Sequence, residues 1–237
     1  MAVAAETCDQ FLRQGRELLA QGNFVAASAA GWRAAVLALE EYVDGNMPET
    51  ESNAETEFKA AARILVKDHR AHVNVAEWVV SAITLSENVE DDWLDRDGID
   101  RRLDDMQRLV LLVKDVADPP QTADHILSRS RECLENGSLA VASEKGWEAV
   151  TRAAKSYAEE TGHDHIRSNY LDQVTPLLVR EPGGEPAGPW SLEVLNLLEN
   201  TDPKRKSLDA FWVQQDLDAA ARLISLISEL MQSKQIA

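Results

Sequence analysis

Cysteine is nearly absent from this chain. Its 237 residues hold two, Cys8 and Cys133, neither in a CxxC nor in a metal-type cluster. A chain of this length does not need a single disulfide to fold, so both read as small apolar helix residues. Positive charge is also scarce, with 24 Lys and Arg against 41 Asp and Glu, a formal net charge of -17. Proteins that bind duplex DNA gain affinity by neutralising phosphates, so such a partner is not expected. An anionic membrane surface is disfavoured for the same reason.

Long apolar runs are missing too. No stretch approaches the roughly 20 residues of a membrane helix. The opening MAVAAETCDQ has no basic leader, so no signal peptide is expected and the cytoplasm is the expected compartment. Strand-like alternation is scarce and no βαβ pattern occurs. GxGxxG, GxxxxGK[ST] and GxSxG are absent, which leaves nucleotide-phosphate and serine-hydrolase chemistry without support.

What the chain does have is an internal echo. At a shift of 115 residues, Asp9–Tyr42 falls into register with Asp124–Tyr157. Leu12 matches Leu127, Arg16 matches Arg131, Gly22 matches Gly137, Ser28 matches Ser143, and Gly31-Trp32 matches Gly146-Trp147. At a shift of 112, Trp78, Leu85 and Asn88 answer Trp190, Leu197 and Asn200. At 114, Leu103, Asp104 and Arg108 answer Leu217, Asp218 and Arg222. Small changes of offset between matched blocks are what loop insertions produce. The reading is a tandem duplication, with domains at 1–117 and 121–237 and the join near Pro119-Pro120.

Each half reads as helical. Gln21-Gly22-Asn23 and Asn136-Gly137-Ser138 place Gly where a left-handed C-cap belongs, followed by a good N-cap. Phe24, Ser28, Gly31, Trp32, Ala35, Leu39 and Tyr42 then recur at three- and four-residue steps, the mark of a buried helix face. The most apolar helices come last in each half: Leu103, Met106, Leu109, Val110, Val113 and Val116, then Leu217, Ala220, Leu223, Ile224, Ile227 and Met231. Shorter helical runs are expected near 55–69, 74–87, 167–179 and 190–199. The expected fold class is all-α, two tandem, related up-and-down bundles of about four to five helices each. A tetratricopeptide-like reading of Gly22–Ala27 ranks last, because the period is near 115 rather than 34.

The string from Asn136 to Trp147, NGSLAVASEKGW, followed by Ala149 and Ala153, resembles the small helical families of PaREP type in the HEPN superfamily. Their Ala-rich central pattern is followed by a Gly and a His-containing loop, here Gly162–Ser168. The first half keeps Ala27, Ser28 and Trp32 but has Ala29-Ala30 where the second has Glu144-Lys145. The resemblance implies a bundle that is often dimeric, so the tandem copy would be a covalent pseudo-dimer. It also implies one of two roles. Many HEPN domains are metal-independent ribonucleases that use an Arg and a following His, whereas others lack the pair and act as binding modules. Fold alone does not choose between them.

The matching pair here is Arg63 and His69, in which Arg would stabilise phosphate charge and His would move the 2′-hydroxyl proton. The spacing is one residue longer than the commonest form. The corresponding stretch of the second half, 178–184, has no His, so the site would need an external partner. The plainer reading is a solvated helix end, with His69 and Arg70 near its C-terminal dipole. His163 and His165 supply at most two metal ligands, and Glu160 with His163 forms only half of a di-iron pattern. No metal or cofactor is therefore expected. Lys204-Arg205-Lys206 is too short to hold RNA alone.

Trp32, Trp78, Trp147 and Trp190 read as core. Trp93 lies in the acidic run Glu90–Asp95, and with Asp91, Asp92 and Asp95 it forms a candidate protein-docking anchor. Residues 1–118 carry 12 basic and 23 acidic residues, net -11, and the remainder 12 and 18, net -6. The acidic density from Glu87 to Asp105 suits a basic protein partner. The leading expectation is a non-enzymatic acidic interaction module. The alternative is a ribonuclease using Arg63 and His69, with RNA as partner in that case alone.

Overall fold

A computed structural model describes residues 7–43, 54–69, 74–160, 190–201 and 208–236. Among them it has nine helices and no strand. They are α1 (Cys8–Ala20), α2 (Phe24–Val43), α3 (Ala54–Asp68), α4 (Val75–Asp91), α5 (Arg96–Ala117), α6 (Ala123–Glu135), α7 (Leu139–Glu160), α8 (Trp190–Glu199) and α9 (Ala210–Ile236). The helical run expected at 167–179 lies outside the described residues. Among those described, no helix is long and apolar enough to cross a membrane. By its contacts the chain divides into two compact units, Met1–Pro119 with Asn136–Ser138, and Pro120–Glu135 with Leu139–Ala237.

In the first unit, α1 opens on a capping box. The Thr7 side chain accepts from the Gln10 amide, and the Gln10 side chain accepts from the Thr7 amide. The helix ends at Gly22, whose φ of 79° is open to glycine at no steric cost. Amides of Gly22 and Asn23 there return to the carbonyls of Leu19 and Leu18. Asn23 then accepts from the Ala26 amide and starts α2.

Helix α2 is the hub of this unit, packing against α1, α3, α4 and α5. Its buried face is mostly small: Ala27, Ser28, Ala30, Gly31, Ala34, Ala35 and Ala38. Small residues let neighbouring helices approach closely, and the large side chains come from those neighbours. A Cβ on Gly31 would sit 2.7 Å from Leu103 and 2.8 Å from Leu85. Leu12, Leu39, Leu65, Leu85, Ile99, Leu103, Met106 and Leu109 complete a fully buried core. Trp32 packs against Phe58 of α3 with ring centroids 4.5 Å apart and the planes tilted by 57°.

The second unit repeats several of these relationships with the matched residues. The turn that joins α6 to α7, whose residues Asn136–Ser138 group with the first unit, has Gly137 at φ 77°. A Cβ on Gly146 of α7 would collide with Leu217 of α9 and meet Leu197 of α8 at 3.3 Å. Asn200 donates to Ser143 Oγ at 3.3 Å, as Asn88 does to Ser28 Oγ at 2.9 Å in the first unit. Ser130 donates to the Ala142 carbonyl at 2.6 Å and ties α6 to α7. Leu127, Cys133, Val150, Tyr157, Leu197, Leu217, Leu223 and Ile224 fill the core.

Two expectations about burial are refined. Val116 closes the apolar stripe of α5 in sequence, yet it is 42% exposed. It sits in the last turn of α5, beyond Val113, the last buried residue of that helix. Trp32, Trp78 and Trp147 are half-buried, with Trp32 and Trp78 packed on the edge of the first core rather than inside it. The side chain of Trp190 is outside the described residues.

Candidate functional site: an acidic corner at the start of a last helix

A tightly specified loop in the first unit joins α4 to α5. Helix α4 ends on Asp92 in the left-handed conformation, φ 46° and ψ 51°. Asp is among the few non-glycine residues that tolerate this region. Helix α5 then begins at Asp95, whose Oδ1 accepts from the Gly98 amide at 2.7 Å. Between these caps the chain is held from inside by Asn88.

Asn88 is completely buried. Its Oδ1 accepts from the amides of Trp93 at 2.8 Å and Leu94 at 2.6 Å, and its Nδ2 donates to Ser28 Oγ on α2. One side chain therefore satisfies two loop amides and anchors the loop to the hub helix. Leu94 turns inward and is buried, whereas Trp93 turns outward and is 55% exposed. Asp91, Asp92, Asp95 and Asp97 around it are all exposed. From Glu87 to Asp100 the chain has seven carboxylates and one cation, Arg96. The corner is an indole on a fixed backbone within a negative field.

Arg16 of α1 bridges Asp100 and Asp104, the next acidic residues along α5. Burial raises the Asp104 carboxyl above its ordinary value, opposed by the charges of Arg16 and Arg108. In the second unit Arg131 meets Asp218 at 3.8 Å, the pair matched to Arg16 and Asp104.

Arg63 and His69 take different positions. Arg63 is exposed and lines a groove between α3 and α4. His69 follows the last turn of α3, its amide bonded to the Leu65 carbonyl, and its ring lies 6.1 Å from that of Tyr42. Six residues of helix rotate two side chains about 120° apart and separate them by about 9 Å along the axis. The Tyr42 hydroxyl donates to Asp68 at 3.0 Å, and its pKa is raised, first by burial and then by that carboxylate.

His163, His165 and the Gly162–Ser168 loop lie outside the described residues, as does Lys204-Arg205-Lys206. Among the described residues no group of three His, Cys, Asp or Glu is placed to hold a metal ion. Both cysteines are buried. The Cys8 thiol is pushed up to about 12, mainly by burial, with Glu41 and Asp9 adding to the effect.

One surface feature escaped the sequence reading. Phe211 and Trp212, in the first turn of α9, are 60% and 62% exposed, with rings edge to face at 5.2 Å. The signal was present in the spacing. Val213, Leu217, Ala220 and Ile224 form the inward stripe of α9, and the two residues before Val213 fall off it. The first unit thus exposes Trp93 in the loop before its last helix, and the second exposes Phe211 and Trp212 in the first turn of its own. No family model, curated protein or solved structure matches the chain.

Proposed function

We propose that this chain is a tandem duplication of a helical bundle, a covalent pseudo-dimer that serves as a non-enzymatic protein-interaction module. It docks a basic partner protein at the Trp93 corner. The observation that carries this reading is the Asn88 clasp, which holds the backbone of an exposed Trp in place before any partner arrives. Pre-ordering removes part of the entropy cost of binding, and Trp is the residue type most often found at the energetic centre of an interface. The surrounding carboxylates would steer a basic surface toward it and reject an acidic one.

The duplication is supported by the pairing of equivalent contacts: Gly31 with Leu85 and Leu103, Gly146 with Leu197 and Leu217, and the two Asn–Ser bonds. The resemblance of Asn136–Trp147 to the PaREP-type HEPN families supports a bundle of this kind. Phe211 and Trp212 supply a second aromatic anchor, so a partner with two sites would gain avidity. The test is quantitative affinity capture from a native-host lysate with wild-type protein and Trp93→Ala. Basic proteins retained by the wild type should be lost with the variant and with added salt.

A further inference from the structure

We propose that the groove between α3 and α4 takes a second partner of opposite charge, an amphipathic helix with carboxylates flanking its apolar stripe. This site is independent of the Trp93 corner. The groove has a volume of about 430 Å³. Its apolar lining is Phe58, Ala62 and Val66 from α3 with Ala76, Val79 and Ile83 from α4. Phe58 and Ala62 are buried, while Val66, Val79 and Ile83 are half-buried at the edge of the core.

The remaining lining residues are Lys59, Arg63 and Lys67. They stand four residues apart, which puts them in a row along one side of α3 with about 6 Å of rise at each step. No Asp or Glu is among the described residues lining the groove, although the chain carries a net charge of -17. The three cations line one side of an apolar floor, with Asp68 and Glu77 the exposed carboxylates that follow Lys67 on α3 and Ala76 on α4.

A helix suits this arrangement because its own Glu residues at four-residue spacing present the same repeat, and its apolar stripe fills the floor. A fatty-acid anion carries one charge and would engage one of these side chains, whereas a row of Glu residues matches their spacing. RNA would want an exposed aromatic face for its bases, and Phe58, the sole aromatic among the described lining residues, is 3% exposed.

The experiment uses the full chain and a fluorescein-labelled synthetic peptide of about five helical turns. The peptide has Leu at i, i+3, i+4 and i+7, with Glu on both flanks, and a counterpart carries Lys in place of Glu. The Glu peptide should bind and the Lys peptide should not. Combining Lys59→Glu, Arg63→Glu and Lys67→Glu should weaken binding at least about tenfold, a change of about 1.4 kcal/mol. Val79→Ala, which keeps every charge, should weaken it severalfold, and it decides the matter if the charge-reversed protein does not fold. Equal binding of the two peptides, or unchanged affinity in both variants, would overturn the proposal. So would displacement of the peptide by stoichiometric oleate or oligouridylate, or self-association of the chain that the charge reversals abolish.

Discussion

Asn88 and Ser28 are joined by a 2.9 Å hydrogen bond across the core of the first unit, and both residues are fully buried. The same Asn88 amide group holds the two backbone amides that follow α4, so the core and the exposed corner share one polar link. Asn88→Ala should leave those amides and Ser28 without their partner. The expected cost is about 2–4 kcal/mol, the range for several buried polar groups losing one bond each. Hydrogen exchange should quicken at Trp93 and Leu94 before the rest of the unit. Unchanged exchange there would contradict the clasp.

Gly31→Ala is expected to destabilise the protein despite Ala being the better helix former. The helix gain is about 1 kcal/mol, whereas forcing a methyl against Leu85 and Leu103 in a packed core costs about 1–3 kcal/mol. Gly146→Ala should behave alike against Leu217. Thermal unfolding of both variants measures this, and a raised Tm in either would refute the packing argument.

Asp104 sets a pH-dependent difference. Its folded pKa lies above the ordinary 3.8, so the folded state holds the proton more tightly than the unfolded state. The stability it contributes is present below 3.8 and is lost as pH rises through the folded value. The stability of wild type minus that of Asp104→Asn should therefore fall as pH rises from 3.8 and then level off. A difference that grows with pH would mean that Arg16 dominates over burial.

The ribonuclease alternative makes its own demand. Purified protein without added metal should leave single-stranded RNA intact, and His69→Ala should change nothing. Cleavage that disappears in His69→Ala would make the chain an enzyme.

Much of the fold was legible because helices announce their caps and faces locally. Gln21-Gly22-Asn23 named its own turn, and Gly31, Leu85 and Leu103, which the structure brings together, were each visible as residues that recur in the second half. Less of the candidate site was legible. Trp93 stood out by its acidic neighbours, but nothing local distinguishes Asn88 from a surface Asn, since its role depends on α2 passing beside the α4 terminus. Arg63 drew notice only as a partner for His69, because the row it forms with Lys59 and Lys67 gains a meaning once α4 supplies the other wall of the groove. Phe211 and Trp212 were missed because an apolar pair at a helix start looks like core until the stripe behind it is drawn.

Affinity capture with Trp93→Ala tests the central claim most directly. The account predicts that basic proteins held by the wild type at low salt are lost by this variant, while its Tm and helical content stay unchanged. Capture of the same proteins in the same amounts by Trp93→Ala would contradict it.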